Sequence, residues 1–99
     1  MRLEFHPEAM AEYEFAVAYY EQHQAGLGAR FIFSIESALQ SILDSPVTWP
    51  IHEQDVRRRL ARFFPYALLY SIEPENILIL AVMHCHQQPG HWRERGSNT

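Results

Sequence analysis

The chain has 99 residues, a length at which a globular sequence forms one hydrophobic core, so we predict a single domain over residues 1–95 and a frayed tail over 96–99. With 47% hydrophobic and 20% charged residues, one cysteine and no apolar run near the roughly twenty residues that span a bilayer, the composition excludes a disordered, disulfide-rich or membrane-spanning protein. The net charge of −4 disfavours non-specific nucleic-acid binding, and an acidic N-terminus, unlike a secretory leader, favours a cytoplasmic protein with no membrane partner.

The first half of the chain predicts a helical hairpin. Pro7 stands where proline is best tolerated, at the first position of a helix, and apolar residues then recur at spacings of three and four. Two glycines reverse the chain, and Pro46 ends the second amphipathic helix. The predicted elements are a strand over 1–6, a helix over 8–24, a turn over 25–28 and a helix ending at Asp44. The acidic residues on or near the polar side of the first helix are Glu8, Glu12 and Glu21.

The second half changes from helical spacing to the alternation of strands. Residues 46–55, with two prolines, predict an irregular connection, and three strands then follow over 56–63, 66–73 and 77–86. The last strand is apolar on both faces, which is typical of a strand inside a sheet. We therefore predict an α+β fold of order β-α-α-β-β-β, with the helical hairpin packed on one face of a curved, mainly antiparallel four-stranded sheet.

Basic residues are concentrated in the second half, where six arginines stand against five acidic residues, compared with two against seven in residues 1–50. All eight are arginine, whose planar guanidinium pairs with carboxylates or phosphates. On a strand, Arg58 and Arg62 share one face while Arg57 and Arg59 share the other. The alternative is an edge strand protected from aggregation by charge. Four arginines in six positions exceed that need, which favours a binding patch.

Three histidines near the C-terminus suggest a possible catalytic group. His84, His86 and His91 could act as general acid and base, with Arg58 and Arg62 stabilising a phosphate transition state, which would make a metal-independent endoribonuclease. Alternatively, the three histidines could bind zinc, although no further acidic or thiol ligand completes that site. Exposed or hydrogen-bonded histidines are the simplest interpretation, so we predict no metal and no cofactor.

An apolar groove with a basic rim is predicted on the sheet face that the helices leave open. Leu78, Leu80 and Val82, which share one face of the last strand, would line it together with Arg58 and Arg62. Such a groove suits an amphipathic segment of a partner. Trp92 either locks the tail onto the sheet, which we favour, or forms an exposed anchor. The predicted partner-binding residues are Arg57, Arg58, Arg59, Arg62, Leu78, Leu80, Val82 and Trp92.

Over nearly its whole length the chain resembles the RelE/ParE superfamily of type II toxins, and is most similar to its ParE-like plasmid-stabilisation members. The segments that carry the resemblance are 5–9, 18–21, 26–31, 62–70, 79–84 and 89–93. The family usually continues its terminal histidine with two arginines and, later, a Tyr-Trp pair. Here His86 and Gln87 replace the arginines and His91 the tyrosine, so only His84, Pro89 and Trp92 carry over.

The resemblance implies the toxin of a type II toxin–antitoxin, or plasmid-stabilisation, system. ParE-like toxins bind and inhibit DNA gyrase, and a disordered part of the cognate antitoxin folds onto the toxin, giving a toxin–antitoxin hetero-oligomer. The alternative is a RelE-like endonuclease that cleaves mRNA on the ribosome. A second alternative is a degenerate, non-toxic binding module. Because the family arginines are missing, the sequence favours binding to gyrase over catalysis.

Overall fold

The computed structural model describes residues 1–86 and 90–95, so the predicted tail over 96–99 and the family positions Gln87 and Pro89 lie outside the described residues. Neither described helix is long and apolar enough to cross a membrane. The regular elements are β1 Arg2–Phe5, α1 Pro7–His23, α2 Leu27–Asp44, β2 Ile51–Glu53, β3 Val56–Leu60, β4 Tyr66–Ile72, β5 Asn76–His84 and a final 3₁₀ turn, Arg93–Arg95.

The helical hairpin begins and reverses at specific polar contacts. His6 caps α1, because its Nδ1 accepts a hydrogen bond from the Glu8 N–H at 3.1 Å. Between the helices, Gly26 has φ +89°, a conformation that other residues rarely adopt. The Glu21 carboxylate accepts hydrogen bonds from the N–H groups of Gly26 and Gly28 at 2.9 to 3.1 Å. A side chain at position 28 would collide with Glu21, so the helices approach closely only with glycine there.

Five strands, one more than predicted, form a mixed sheet of order β1-β5-β4-β3-β2. β1 is parallel to β5 and the other pairs are antiparallel, while β5 lies between β1 and β4, which confirms the prediction of an internal strand. The extra strand is β2, whose three residues lie in the segment predicted to be irregular and are too few to show an alternating pattern. β3 ends at Leu60 rather than at residue 63, and Phe63 adopts φ +72°, outside the strand region.

The main core lies between the helices and one face of the sheet, as predicted. On α2 the apolar stripe is buried as predicted, whereas on α1 the fully buried positions are Ala9 and Ala16, and Met10, which fits the spacing of three and four, is exposed. Aromatic rings close this core, with the Phe31 ring 5.0 Å from Tyr66 and 5.1 Å from Phe64. The sheet side chains in this core are Leu68, Tyr70, Ile77, Ile79 and Val82.

A β-bulge in β5 reverses the side-chain alternation. Leu69 stands opposite Ala81 but Tyr70 stands opposite Ile79, so Leu80 is an extra residue on β5. Leu78 before the bulge and Leu80 within it pack on the face away from the helices, whereas Val82 after it packs towards the helices. The prediction that Leu78, Leu80 and Val82 share one face is therefore wrong, because a bulge inserts one residue into the period of two.

A second, smaller core occupies the sheet face opposite the helices. Trp92, in the C-terminal segment Gly90–Arg95, is 5% exposed and packs against this face. The indole therefore packs on the sheet, as favoured from the sequence. Its buried partners in this core are Val56, Leu69, Leu80, Ala81 and Met83.

Replacing Trp92 with alanine should test this second core. We expect the free energy of unfolding in urea to fall by about 3–5 kcal/mol, because a large buried ring is removed and leaves a cavity. Phe15→Ala is the matched control: that ring is 73% exposed on α1, so the change should stay within about 0.5 kcal/mol. Equal effects for the two variants would contradict the packing described for Trp92.

Candidate functional site

Two arginines of the predicted patch are structural. Arg57 donates to the carbonyl oxygens of Val47 at 3.1 Å and Trp49 at 2.7 Å. Arg59 donates to Ser41 Oγ at 3.0 Å, and its guanidinium carbon lies 4.2 Å from the centre of a Trp49 ring. Both side chains therefore hold the connection between α2 and β2 in place.

The other two arginines of the patch are exposed and separated. Arg58 is paired with Leu69 in the sheet and lies on the face away from the helices, the same face as the second core. Arg62 follows the end of β3, and its carbonyl oxygen accepts a hydrogen bond of 2.5 Å from Ser34 Oγ on α2. The predicted shared face of Arg58 and Arg62 is therefore not formed, because the strand ends between them.

His84 and His86 lie together at the end of β5. The two rings are 5.3 Å apart, and His84 Nδ1 accepts a hydrogen bond of 3.0 Å from the His86 N–H. The His84 ring is 5.2 Å from the Tyr66 ring, and His84 and Tyr66 both line a cavity of about 350 Å³ beside α1. Burial, followed by the neighbouring Tyr20, raises the pKa of Tyr66, so this hydroxyl stays protonated at neutral pH and cannot act as a base.

The proposed catalytic residues are not brought together. His84 lies on the helix side of the sheet, whereas Arg58 lies on the opposite side. His91 is bound elsewhere, with Nε2 2.9 Å from Glu12 Oε2. Arg62 lines a different cavity, between α2 and the β3–β4 loop. Among residues 1–86 and 90–95, no three His, Cys, Asp or Glu side chains are placed to hold a metal ion.

Glu12, which the sequence placed on or near the polar side of α1, binds three groups that are distant from it in the chain. Its Oε1 accepts from the Val82 N–H at 3.0 Å, beside the bulge, and Oε2 accepts from Arg95 Nη2 at 3.0 Å as well as from His91. Arg95, only 8% exposed, also donates to the Leu80 carbonyl oxygen at 3.1 Å. Helical periodicity alone could not reveal this role, because the partners are 70 or more residues away in the chain.

Electrostatics keep Glu12 ionised. Burial alone would raise the pKa of Glu12, but hydrogen bonds from Arg95, the Val82 N–H and His91, together with the Arg95 charge, lower it below its ordinary value of 4.5. A charged carboxylate with three donors is a stable acceptor, whereas a protonated one would lose part of this network.

The C-terminal segment Gly90–Arg95 is fixed at three points, two on the sheet and one on α1. Arg93 forms two hydrogen bonds of 2.7 and 2.8 Å with the Glu53 carboxylate on β2, and the hydrogen bond to Arg93 lowers the pKa of Glu53. Trp92 fills the second core, and Arg95 and His91 bind Glu12. The open apolar groove predicted for this face is therefore occupied by the chain's own C-terminal segment, and Leu80 is 2% exposed.

Comparison with known proteins finds one matching family model and a solved structure of similar fold. The family model described as "ParE toxin of type II toxin-antitoxin system, parDE" matches residues 3–89. A solved chain of the "Chromosomal ParDE TA system from P. aeruginosa" is similar with a TM-score of 0.72 and 16% sequence identity, covering 85% of this chain and 95% of that chain. At that identity the likeness concerns the fold alone. No curated protein matches this sequence.

Replacing Glu12 with glutamine tests the network. We expect the free energy of unfolding to fall by about 2–3 kcal/mol at neutral pH. This is somewhat less than the usual effect of removing one partner of a buried ion pair, because Glu8 still faces Arg95. Since the folded-state pKa of Glu12 is lowered, its contribution is present above pH 4.5 and is lost as the pH falls through the lower folded value.

The difference between wild type and Glu12→Gln in urea unfolding should therefore shrink as the pH falls below 4.5. Glu14→Gln is the matched control, because Glu14 is exposed on the same helix. A gap that is constant between pH 7 and pH 3 would contradict a role for the ionised Glu12.

Proposed function

This chain belongs to the ParE toxin family of type II toxin–antitoxin systems, and we propose that it inhibits DNA gyrase by binding and is neutralised by a cognate antitoxin. The proposal places the chain in the cytoplasm, where gyrase acts, as part of a plasmid-stabilisation system. The chain and its antitoxin would form a hetero-oligomer.

The observation that supports binding over cleavage is the separation of the catalytic candidates. An in-line cleavage of RNA needs an acid, a base and a cation around one phosphate, within hydrogen-bond reach of the reacting atoms. Here His84 and Arg58 lie on opposite faces of the sheet, and His91 is engaged with Glu12. A protein that acts by occupying a surface of gyrase needs no such arrangement.

The RelE-like alternative retains one specific observation in its favour. His84 and His86 lie 5.3 Å apart next to Tyr66, so imidazole and phenol groups share one cavity wall. That cavity contains no arginine among its described lining residues, which leaves a phosphate there without a cation. A degenerate, non-toxic module is the remaining alternative, and growth measurements separate it from the other two.

Inducing the chain without and with the protein encoded by the adjacent reading frame tests the proposal. We expect growth arrest and filamentous cells with intact transcripts, and rescue when the neighbour is expressed. Rapid, codon-phased cleavage of mRNA would establish the endonuclease instead. Normal growth in both cultures would support the non-toxic module.

Alanine at both His84 and His86 separates binding from catalysis in the same assay. We expect toxicity to remain within about threefold of wild type, since neither ring carries a buried contact that inhibition by binding requires. The matched control is His23→Ala, a histidine on α1 that lines the same cavity. The proposal that the chain acts by binding without catalysis would be rejected if the double variant lost toxicity while His23→Ala kept it. The unfolding midpoint of the double variant must be unchanged for this conclusion.

A further inference from the structure

An open cavity of about 630 Å³ lies between α2 and the loop that joins β3 to β4. None of its described lining residues belongs to the Glu12 network, and the sequence did not predict this cavity. The described residues that line it are Leu27, Ala29, Arg30, Phe33, Ser34, Ser37, Arg62, Phe63 and Phe64.

The walls of this cavity carry the two most exposed large hydrophobic side chains of the described chain. Phe63 is 89% exposed and Phe33 is 74% exposed. Each exposes an aromatic surface that would be favourable to bury. Two such rings around one concave surface are typical of an interaction site rather than of a scattered surface residue.

The structure holds Phe63 in this exposed position. Its φ of +72° is unusual for a bulky residue and is maintained by the surrounding contacts. The loop is closed by a hydrogen bond of 2.9 Å from the Ala61 N–H to the Tyr66 carbonyl oxygen, and Ser34 Oγ binds the Arg62 carbonyl. Next in the chain, Phe64 turns into the main core, so the two neighbouring rings have opposite environments. A loop held in this way loses little backbone freedom when a partner binds.

The charge of the cavity is opposite to that of the whole chain. Five of the eight arginines bind other groups of the protein through their side chains; these are Arg2, Arg57, Arg59, Arg93 and Arg95. Among the described residues, Arg30, Arg58 and Arg62 form no side-chain hydrogen bond or ion pair, and two of these three line this cavity. No acidic side chain is among its described lining residues. It is a local positive site on a chain of net charge −4.

We infer that this cavity binds an acidic segment of the antitoxin, in which an apolar side chain inserts between Phe33 and Phe63 while carboxylates pair with Arg30 and Arg62. Guanidinium groups bind carboxylates through two parallel hydrogen bonds, which fixes the position of the segment as well as its charge. An amphipathic segment that inserts apolar anchors into a groove is a common mode of recognition. Two arginines on an acidic protein are a weak phosphate surface, which disfavours nucleic acid as the occupant. The inference rests on the proposed function, because it needs an antitoxin.

The charge part is tested by titrating the purified chain with the protein encoded by the adjacent reading frame, using calorimetry at low and physiological salt. The double variant Arg30→Glu/Arg62→Glu should bind at least about 30-fold more weakly. Arg2→Glu is the matched control, an exposed arginine on β1 outside this cavity, and should stay within about threefold. The salt dependence of binding should also be smaller in the double variant, because two charge pairs are lost.

The aromatic part is tested by Phe63→Asn. Asparagine tolerates positive φ, so the unfolding midpoint should equal or exceed that of wild type while affinity falls at least about tenfold. Phe15→Asn, at a ring of similar exposure outside this cavity, should leave affinity unchanged. Because Phe63→Asn should stay folded, a fall in its affinity would report loss of binding and not loss of folding.

Unchanged antitoxin affinity in the double variant or in Phe63→Asn overturns the inference, and so does an equal loss in Arg2→Glu. Binding of a DNA duplex that only the double variant loses, with antitoxin affinity unchanged, would assign the cavity to phosphate instead. If the wild-type chain does not bind the protein encoded by the adjacent reading frame, both the proposal that this protein is the antitoxin and the present inference are rejected. A variant that stays toxic but is no longer rescued supports the cavity and leaves the gyrase proposal intact.

Discussion

The carboxylate of Glu12 joins three parts of this fold that are far apart in the sequence: helix α1, strand β5 and the C-terminal segment. It accepts hydrogen bonds from β5 beside the bulge, from Arg95 and from His91, while Arg95 binds the Leu80 carbonyl oxygen. β1 pairs with β5 only from Asn76 to Ile79, so the backbone of β5 beyond Ile79 has no β1 partner, and buried polar groups must find others. Glu12 and Arg95 supply such partners at Val82 and Leu80, and Arg95 thereby holds the C-terminal segment beside the sheet. The buried guanidinium is stable there because it meets both a carboxylate and a carbonyl oxygen.

This network decides which surfaces are available for function. The bulge turns Val82 and His84 towards the helices, which separates the histidines from Arg58. The fixed C-terminal segment covers the other face of the sheet through Trp92. Among the described residues, the loop after β3 and the adjacent surface of α2 combine exposed aromatic rings with Arg30 and Arg62, whose side chains form no hydrogen bond or ion pair. The molecule thus offers partners a preformed surface outside its sheet faces, which suits a protein that works by binding.

Much of the fold follows from periodicity, and most of the site does not. The α2 stripe, the Pro46 end of that helix and the internal position of β5 follow from local patterns. The bulge at Leu80 does not, since an all-apolar strand looks the same in either register, and this is why the shared face of Leu78, Leu80 and Val82 was wrong. The bonds of Arg57 and Arg59 to the α2–β2 connection also depend on tertiary distances. One local signal does exist for Phe63: two adjacent phenylalanines before a proline cannot both face the core of a tight loop.

We propose that this member of the ParE family acts by binding gyrase and not by cleaving RNA. The most direct measurement adds the purified chain to purified DNA gyrase and relaxed plasmid, and in parallel to ribosomes carrying a defined mRNA. We expect dose-dependent loss of supercoiling that the antitoxin restores, with the mRNA intact. Full supercoiling at a large excess of the chain, together with cleavage of the ribosome-bound mRNA, would contradict it.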